Sequence, residues 1–209
     1  MNQPPLSART STGPLHRRLV VGVAAVIAAI AATLGYQAQN SSSSPPSSHS
    51  PSSSAAPPSK FAHGAVPDGT TVFDEDVPAV AKLDPELLEA LRRAAEKAAS
   101  EGVSLYVNGG WRSPRYQERL LREAIAEYGS EAEAARWVAT AKTSPHVSGE
   151  AVDIGRSPAT AWLSEHGAAY GLCQIYRNEP WHYELRPEAI GRGCPQMYAD
   201  PTQDPRMQK

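Results

Sequence analysis

The sequence predicts an α+β domain with a small, mainly antiparallel sheet flanked by helices. Helical patterns come first in the ordered region and several short strand patterns come late, an order typical of this class. The chain of 209 residues has room for one domain of ordinary size and additional segments. We place the domain at residues 61–198, where the composition is mixed and globular, and predict a disordered tail over 199–209.

The first half of the domain is predicted to be mainly helical. One helix begins at Asp84, whose side chain can cap the first turn, and ends at Gly102. The segment "VSLYVNGGW" then alternates apolar and other residues as a strand does. A second helix runs from Ser113 to Gly129, and a third begins at Ser130 and continues through "EAEAARWVAT".

The second half supplies most of the predicted sheet. "EAVDI" can enter a strand after a turn at Ser148 and Gly149, while Pro145 and the nearby valines disfavour a helix before that turn. A fourth helix is predicted from Ser157 to Gly171. "LCQIYR" and "WHYELR" follow as two closing strands.

The N-terminal region predicts an extracytoplasmic location for this domain. A basic stretch, residues 1–18, precedes the apolar run Leu19–Gly35, whose 17 residues just reach the short end of a membrane-spanning helix. We expect a single-pass anchor in the cell membrane, with the basic end cytoplasmic. The alternative is a cleaved signal peptide and a secreted protein. Residues 36–60, rich in Ser and Pro, predict a disordered linker that could hold the domain up to about 60 Å from the membrane.

The net charge and the cysteine content indicate which partners the protein can have and whether it contains a disulfide. The net charge of −2 leaves no basic stripe to neutralise phosphates, so a nucleic-acid partner is not expected. We expect a monomer. In an exported domain, Cys173 and Cys194 are predicted to form a disulfide, and two separate buried thiols are the alternative.

The stretch "SPHVSGEAVDIG" holds two candidate metal ligands, His146 and Asp153. Fully extended, seven residues would span about 23 Å, too far for two ligands that must each approach a zinc ion at about 2 Å. The chain must therefore reverse between them, and Ser148 and Gly149 allow it to do so.

A second stretch, "NEPWHYEL", supplies the other groups that zinc-assisted hydrolysis needs. His182 is a third candidate ligand, and Glu179 stands three residues before it. A carboxylate beside a metal-activated water can accept its proton and later pass that proton to a leaving amine. Arg112, in "NGGWRSP", could reach a substrate carboxylate or a developing oxyanion, although a surface salt bridge would also explain it. Glu184 alternates with His182 and could support it, but we expect a solvated strand carboxylate.

Together these stretches resemble a known family. "SPHVSGEAVD" matches the S-x-H-x-x-G-x-A-x-D signature of the VanY/VanX group of zinc D-Ala-D-Ala peptidases, and "EPWH" matches the E-x-x-H signature of that group. The resemblance covers roughly residues 100–190, with both spacings and their order in agreement.

The resemblance implies a site, a fold and a substrate. His146, Asp153 and His182 would be zinc ligands, and Glu179 the general base and acid. Arg112 would polarise the scissile carbonyl, and Ser144 would line the pocket. The implied fold is the α+β unit shared with the hedgehog signalling domain. The implied substrate is a peptidoglycan stem peptide ending in D-Ala-D-Ala, from which a carboxypeptidase removes the terminal D-Ala.

Three other functions remain open at the level of sequence. An endopeptidase of the same family would cut within or between stem peptides. A non-catalytic, metal-containing wall-binding module would need neither Glu179 nor Arg112. An iron oxygenase with two histidines and one carboxylate uses the same ligand types, but such enzymes usually place their first histidine and carboxylate closer together than His146 and Asp153.

Overall fold

A computed structural model describes residues 60–155 and 157–208. The basic N-terminus, the predicted anchor Leu19–Gly35 and all but the last residue of the predicted linker lie outside the described residues. Within the part that is described, no helix is both long and apolar enough to cross a membrane.

The described chain is a mixed α/β structure in which helices surround one sheet, as predicted. The α-helices are α1 (Pro78–Ala81), α2 (Pro85–Ser100), α3 (Pro114–Tyr128), α4 (Glu131–Ala134), α5 (Pro145–Ser148) and α6 (Ser157–His166). The strands are β1 (Tyr106–Gly109), β2 (Ala151–Gly155), β3 (Leu172–Gln174) and β4 (His182–Leu185). Short 3₁₀ helices occupy Lys60–His63, Gly167–Tyr170, Pro187–Ala189, Pro201–Gln203 and Pro205–Gln208.

The two long helices begin and end where their capping residues predict. The Asp84 carboxylate accepts hydrogen bonds from the backbone N–H groups of Glu86 and Leu87, both at 3.0 Å. The Ser113 hydroxyl caps α3 in the same way, and Gly129 ends that helix in the left-handed conformation, with a φ of 81°. Helix α2 buries one face against the sheet through Leu87, Ala90, Leu91, Ala94, Ala95 and Ala98.

The sheet is fully antiparallel, with the strand order β1-β2-β4-β3. Strands β2 and β4 are therefore central. Val152, Ile154 and Tyr183 point to the side of the sheet that packs in the main core with α2. Because side chains alternate along a strand, Asp153 and His182 point to the opposite side, where they are paired in register. One face of the sheet therefore builds the core and the other builds the candidate site.

Some predicted elements are shorter than expected because tertiary contacts override local propensity. Helix α4 ends at Ala134 and does not continue through "EAEAARWVAT". Trp137 stacks on Tyr128 of α3 instead, with ring centroids 5.9 Å apart. Helix α6 ends at His166, and a 3₁₀ turn covers Gly167–Tyr170 before the predicted stop at Gly171.

The prediction of a disordered tail over 199–209 is wrong for residues 199–208. This segment forms two 3₁₀ turns, and its Asp200 and Asp204 are buried. Arg206 reaches into the sheet, where it pairs with Glu184 on β4. The predicted domain boundary at residue 198 therefore lies too early, because ion pairs with residues distant in the chain help to dock this segment.

The predicted reversal is present at Gly149, but Ser148 belongs to a helical turn, α5, that was not expected from the sequence. Pro145 takes the first helical position, where its missing N–H removes no hydrogen bond. Gly149 adopts a φ of +83° and ends the turn. A Cβ at this position would also lie 2.6 Å from the carbonyl oxygen of Lys82. Only glycine satisfies both conditions.

Cys173 of β3 and Cys194 are joined in a disulfide. The bridge closes the part of the chain that contains Glu179 and β4, so it ties the loop after β4 back to the edge of the sheet. On the chain-entropy model, a loop of this size contributes about 3 kcal/mol to the free energy of unfolding.

Replacing Gly149 should destabilise the domain more than replacing another glycine of the same backbone conformation. We expect Gly149→Ala to lower the free energy of unfolding by about 3 kcal/mol, because both the positive φ and the contact with the Lys82 carbonyl oppose a side chain. Gly69 has a φ of +82° with open space around it, so Gly69→Ala should cost only about 1 kcal/mol. Denaturant unfolding of both variants measures the difference, and equal losses would contradict this account.

Candidate metal centre

His146, Asp153 and His182 converge on one point from three elements. Asp153 and His182 are opposed across β2 and β4, and α5 brings His146 to the same side of the sheet. Asp153 Oδ1 lies 3.4 Å from His146 Nε2 and 3.4 Å from His182 Nδ1. One ligand atom from each residue lies within 4.8 Å of the others, and all three side chains are buried.

Hydrogen bonds determine which ring nitrogen of each histidine is free. His146 Nδ1 lies 2.9 Å from the backbone oxygen of Gly110, which can only accept, so Nδ1 carries the proton and Nε2 faces the cluster. His182 Nε2 lies 3.2 Å from Glu184 Oε1, so Nε2 donates to this carboxylate and Nδ1 faces the cluster. Carbonyl and carboxylate partners of this kind orient histidine ligands in metal sites.

The cluster fits a tetrahedral zinc ion. Ligand atoms bound at about 2.0–2.2 Å in tetrahedral geometry lie about 3.3–3.6 Å from one another, which agrees with the two 3.4 Å separations from Asp153 Oδ1. Asp153 Oδ1 and His182 Nδ1 are buried without a hydrogen-bond partner. Buried polar atoms are normally satisfied, so these two atoms indicate that the site is built to hold a cation.

The surroundings of the cluster lower the pKa values of His146 and Asp153, which favours the protonation states that bind a cation. Burial and the Arg112 guanidinium lower the pKa of His146, which keeps its imidazole neutral. Burial would raise the pKa of Asp153, but the adjoining His146 ring and Arg112 hold it well below its ordinary value. Burial would lower the pKa of His182, but Asp153 and Glu184 raise it to about 9. Because a metal binds the neutral ring, a proton competes with a metal for His182.

Glu179 lies at the edge of the cluster, in a tight turn that leads into β4. The His182 backbone N–H closes this turn on the Glu179 carbonyl at 3.1 Å. The carboxylate lies beside the ligands, with Oε2 3.9 Å from His182 Nδ1 and Oε1 buried without a partner. Burial raises the pKa of Glu179 to about 7. Near neutral pH this carboxyl can both accept and release a proton.

Arg112 lies within the site and not in a surface salt bridge. Its Nη2 donates to Asp153 Oδ2 at 2.6 Å, which leaves Oδ1 of the same carboxylate free, and Nη1 donates to Gln117 Oε1 at 3.2 Å. The Arg112 side chain is only 17% exposed. Gly109 provides the room for this pair, because a Cβ there would lie 2.3 Å from Asp153 Oδ2.

A cavity of about 400 Å³ opens from the cluster toward α3. Arg112, Ser144, Glu179 and the three candidate ligands line its inner end. The Ser144 hydroxyl is buried there without a hydrogen-bond partner. Trp181 and the stacked pair Tyr128 and Trp137 form aromatic parts of the wall. The cavity can therefore admit an extended ligand whose polar end lies beside the cluster.

The expectation that Glu184 is a solvated strand carboxylate is wrong. Glu184 is 1% exposed and holds His182 Nε2, because β4 is a central strand whose two faces are both covered. Its alternation with His182 was a usable signal. Arg206 and Asp204, which complete this charged network, were missed because no local pattern connects them to β4.

Comparison with known proteins agrees with the family resemblance. A family model described as VanY, D-alanyl-D-alanine carboxypeptidase, matches residues 80–188. The D-alanyl-D-alanine carboxypeptidase of Enterococcus faecalis (strain ATCC 700802 / V583) is 30% identical, over 49% of this chain and 47% of the relative. The chain thus spans about half the length of that protein.

Two solved structures of VanY proteins are similar to part of this chain. VanYB in complex with D-alanine-D-alanine is 29% identical, with a TM-score of 0.49, over 53% of this chain and 75% of that one. A VanY D,D-pentapeptidase from the VanB-type resistance cassette, in complex with Zn(II), is also 29% identical, with a TM-score of 0.47, over 49% of this chain and 72% of that one. Because the family model matches more than half of the chain, including every residue of the candidate metal centre, the protein belongs to the VanY D-alanyl-D-alanine carboxypeptidase family.

Proposed function

We propose that the chain is an extracytoplasmic, zinc-dependent D-alanyl-D-alanine carboxypeptidase that removes the terminal D-Ala from peptidoglycan stem peptides. Membership of the VanY family and the relative from Enterococcus faecalis support the reaction class. The observation that carries the proposal is the convergence of three ligand atoms, two of them buried without a hydrogen-bond partner, beside Glu179 in an open cavity.

The ligand count supports a catalytic rather than a structural metal. Structural zinc sites are closed by four protein ligands, whereas catalytic sites keep one position open. Among the described residues, the cluster supplies three ligands, His146, Asp153 and His182. Glu179 and Arg112 then have roles that a purely structural site would not require.

The chemistry follows from the position of each side chain. His146, Asp153 and His182 would hold a zinc ion, which would supply the Lewis acid that activates water and polarises a carbonyl. The ionised Glu179 accepts the proton of the attacking water and returns it to the amine of the departing D-Ala. Arg112 stabilises the negative charge that develops on the scissile carbonyl oxygen. The unpaired Ser144 hydroxyl gives the substrate a hydrogen-bond partner at the inner end of the cavity.

The proposed location rests on the sequence outside the described residues. The run Leu19–Gly35 would anchor the chain in the cell membrane, and the Ser/Pro-rich linker would carry the domain into the wall. A disulfide at Cys173 and Cys194 supports an oxidising compartment. We propose that the protein acts there as a monomer on stem peptides that end in D-Ala-D-Ala.

The reaction is tested by the products formed from a stem pentapeptide. We expect one D-Ala per peptide, release that stops with a chelator, and recovery when zinc is restored. Glu179→Gln should lower kcat by at least about 100-fold, because it removes the proton acceptor, and should leave zinc binding largely intact. Mass spectrometry and a D-alanine assay measure the products.

Other products would decide between the remaining functions. Internal cleavage without free D-Ala would indicate an endopeptidase. Zinc-dependent binding of the peptide without turnover would indicate a wall-binding module. Unchanged D-Ala release by Glu179→Gln would remove the assigned role of that residue.

Glu179 should also make the free energy of unfolding of the metal-free protein depend on pH. The raised pKa, about 7, means that the folded state binds this proton more tightly than the unfolded state. The contribution of the protonated carboxyl to the free energy of unfolding is fully present below the pKa of Glu in the unfolded state, about 4.3. It is lost as pH rises through about 7. Glu179→Gln should therefore match the parent near pH 4 but exceed its free energy of unfolding by about 1–3 kcal/mol at pH 8.

Chelator-treated samples unfolded in denaturant at each pH supply this comparison. Glu123→Gln is a suitable control, since Glu123 also lines the cavity but has an exposed side chain. Parallel pH profiles for the parent and Glu179→Gln would rule out a raised pKa at Glu179.

A further inference from the structure

Arg206 joins two buried carboxylates, Glu184 and Asp204, in a charged network that ends on a candidate metal ligand. Its Nη1 donates to Glu184 Oε2 at 2.7 Å, and its Nη2 donates to Glu184 Oε1 at 3.1 Å. Glu184 Oε1 is the oxygen that accepts from His182 Nε2 at 3.2 Å. The network thus runs in two steps from the C-terminal segment, residues 200–208, to His182.

Arg206 differs from the other arginine on the same carboxylate. Arg186 donates to one oxygen of this carboxylate, from Nη2 to Oε2 at 2.6 Å. Arg206 engages both oxygens in the planar fork that guanidinium groups form with carboxylates. Of these two arginines, Arg206 therefore fixes the rotation of the carboxylate and the direction in which Oε1 faces His182.

Asp204 holds Arg206 in this position and provides a second contact near His182. Asp204 is fully buried and accepts from Arg206 Nε at 3.0 and 3.1 Å. Its Oδ2 also accepts from the Tyr176 hydroxyl at 3.0 Å. The Tyr176 ring packs against the His182 ring, with centroids 5.1 Å apart. Asp204 is therefore connected to His182 by two routes, one through Arg206 and Glu184 and the other through the Tyr176 ring.

We propose that Arg206 is a positioning residue, which acts from the C-terminal segment through Glu184 to hold His182 Nδ1 toward the metal. The energetic reason lies in the burial of Glu184, which is 1% exposed. A buried carboxylate requires charged partners, and without Arg206 it would turn toward Arg186 and away from His182. The inference rests on the proposed zinc site but not on the identity of the substrate.

Zinc affinity of the full chain, measured without substrate by competition with a chromophoric chelator, tests this role. Arg206→Met should weaken zinc binding by about 10–100-fold, the range typical for loss of a partner that orients a metal ligand. Arg136→Met is the matched control. Arg136 also pairs with a buried aspartate of the C-terminal segment, Asp200, and its side chain is similarly exposed, but it does not touch Glu184. This control should bind zinc as the parent does.

The same substitution made in a Glu184→Gln protein distinguishes a positioning role from general destabilisation. Since Arg206 acts through Glu184, Arg206→Met should weaken zinc binding little further when Glu184→Gln is already present. Parent-like affinity of Arg206→Met, or an equal loss in both backgrounds, would overturn the proposal. Should Arg206→Met not fold, Arg206→Lys retains the charge without the fork and should weaken zinc binding more than Arg136→Lys; equal affinities of the two lysine variants would also overturn it.

These outcomes are independent of the proposed reaction. A parent protein that binds zinc but releases no D-Ala would refute the carboxypeptidase function, while the zinc affinities of the variants would still decide the role of Arg206. A parent that releases D-Ala together with Arg206→Met of unchanged zinc affinity would refute only the positioning role.

Discussion

Asp153 and His182 lie directly opposite each other on the two central strands, and the rest of the site depends on this pairing. Side chains alternate along a strand, so a shift of one residue would turn one of the two ligands into the core. The apolar neighbours Val152, Ile154 and Tyr183 oppose such a shift, because it would expose them on the other face. The hydrophobic core thus stabilises the geometry of a polar site with which it shares two strands.

Each candidate ligand uses one polar atom for support and leaves another free. His146 is held through Nδ1 by Gly110, Asp153 through Oδ2 by Arg112, and His182 through Nε2 by Glu184. Two of the free atoms, Asp153 Oδ1 and His182 Nδ1, are buried without a hydrogen-bond partner, which costs stability in the absence of a cation. The site is therefore preorganised for a metal at the expense of the metal-free fold, and the surrounding charged network offsets part of that cost.

The ends of the two long helices could be predicted from the capping residues beside them. Asp84 and Ser113 begin helices by capping them, and Gly129 ends one because it can adopt a positive φ. Where prediction failed, distant contacts decided the outcome. Trp137 leaves its predicted helix to stack on Tyr128, and the C-terminal segment is ordered by ion pairs that no periodic pattern reveals.

The sequence by itself determined which residues form the candidate site, because two histidines, an aspartate and a glutamate occur at spacings that match a known metal-binding signature. It also determined the reversal at Gly149, since few other residues accept that backbone conformation. Only the tertiary structure decided that Arg112 pairs with Asp153 and that Glu184 is buried. Contacts between residues far apart in the chain depend on strand order and on packing of the C-terminal segment, and neither is written in a local pattern.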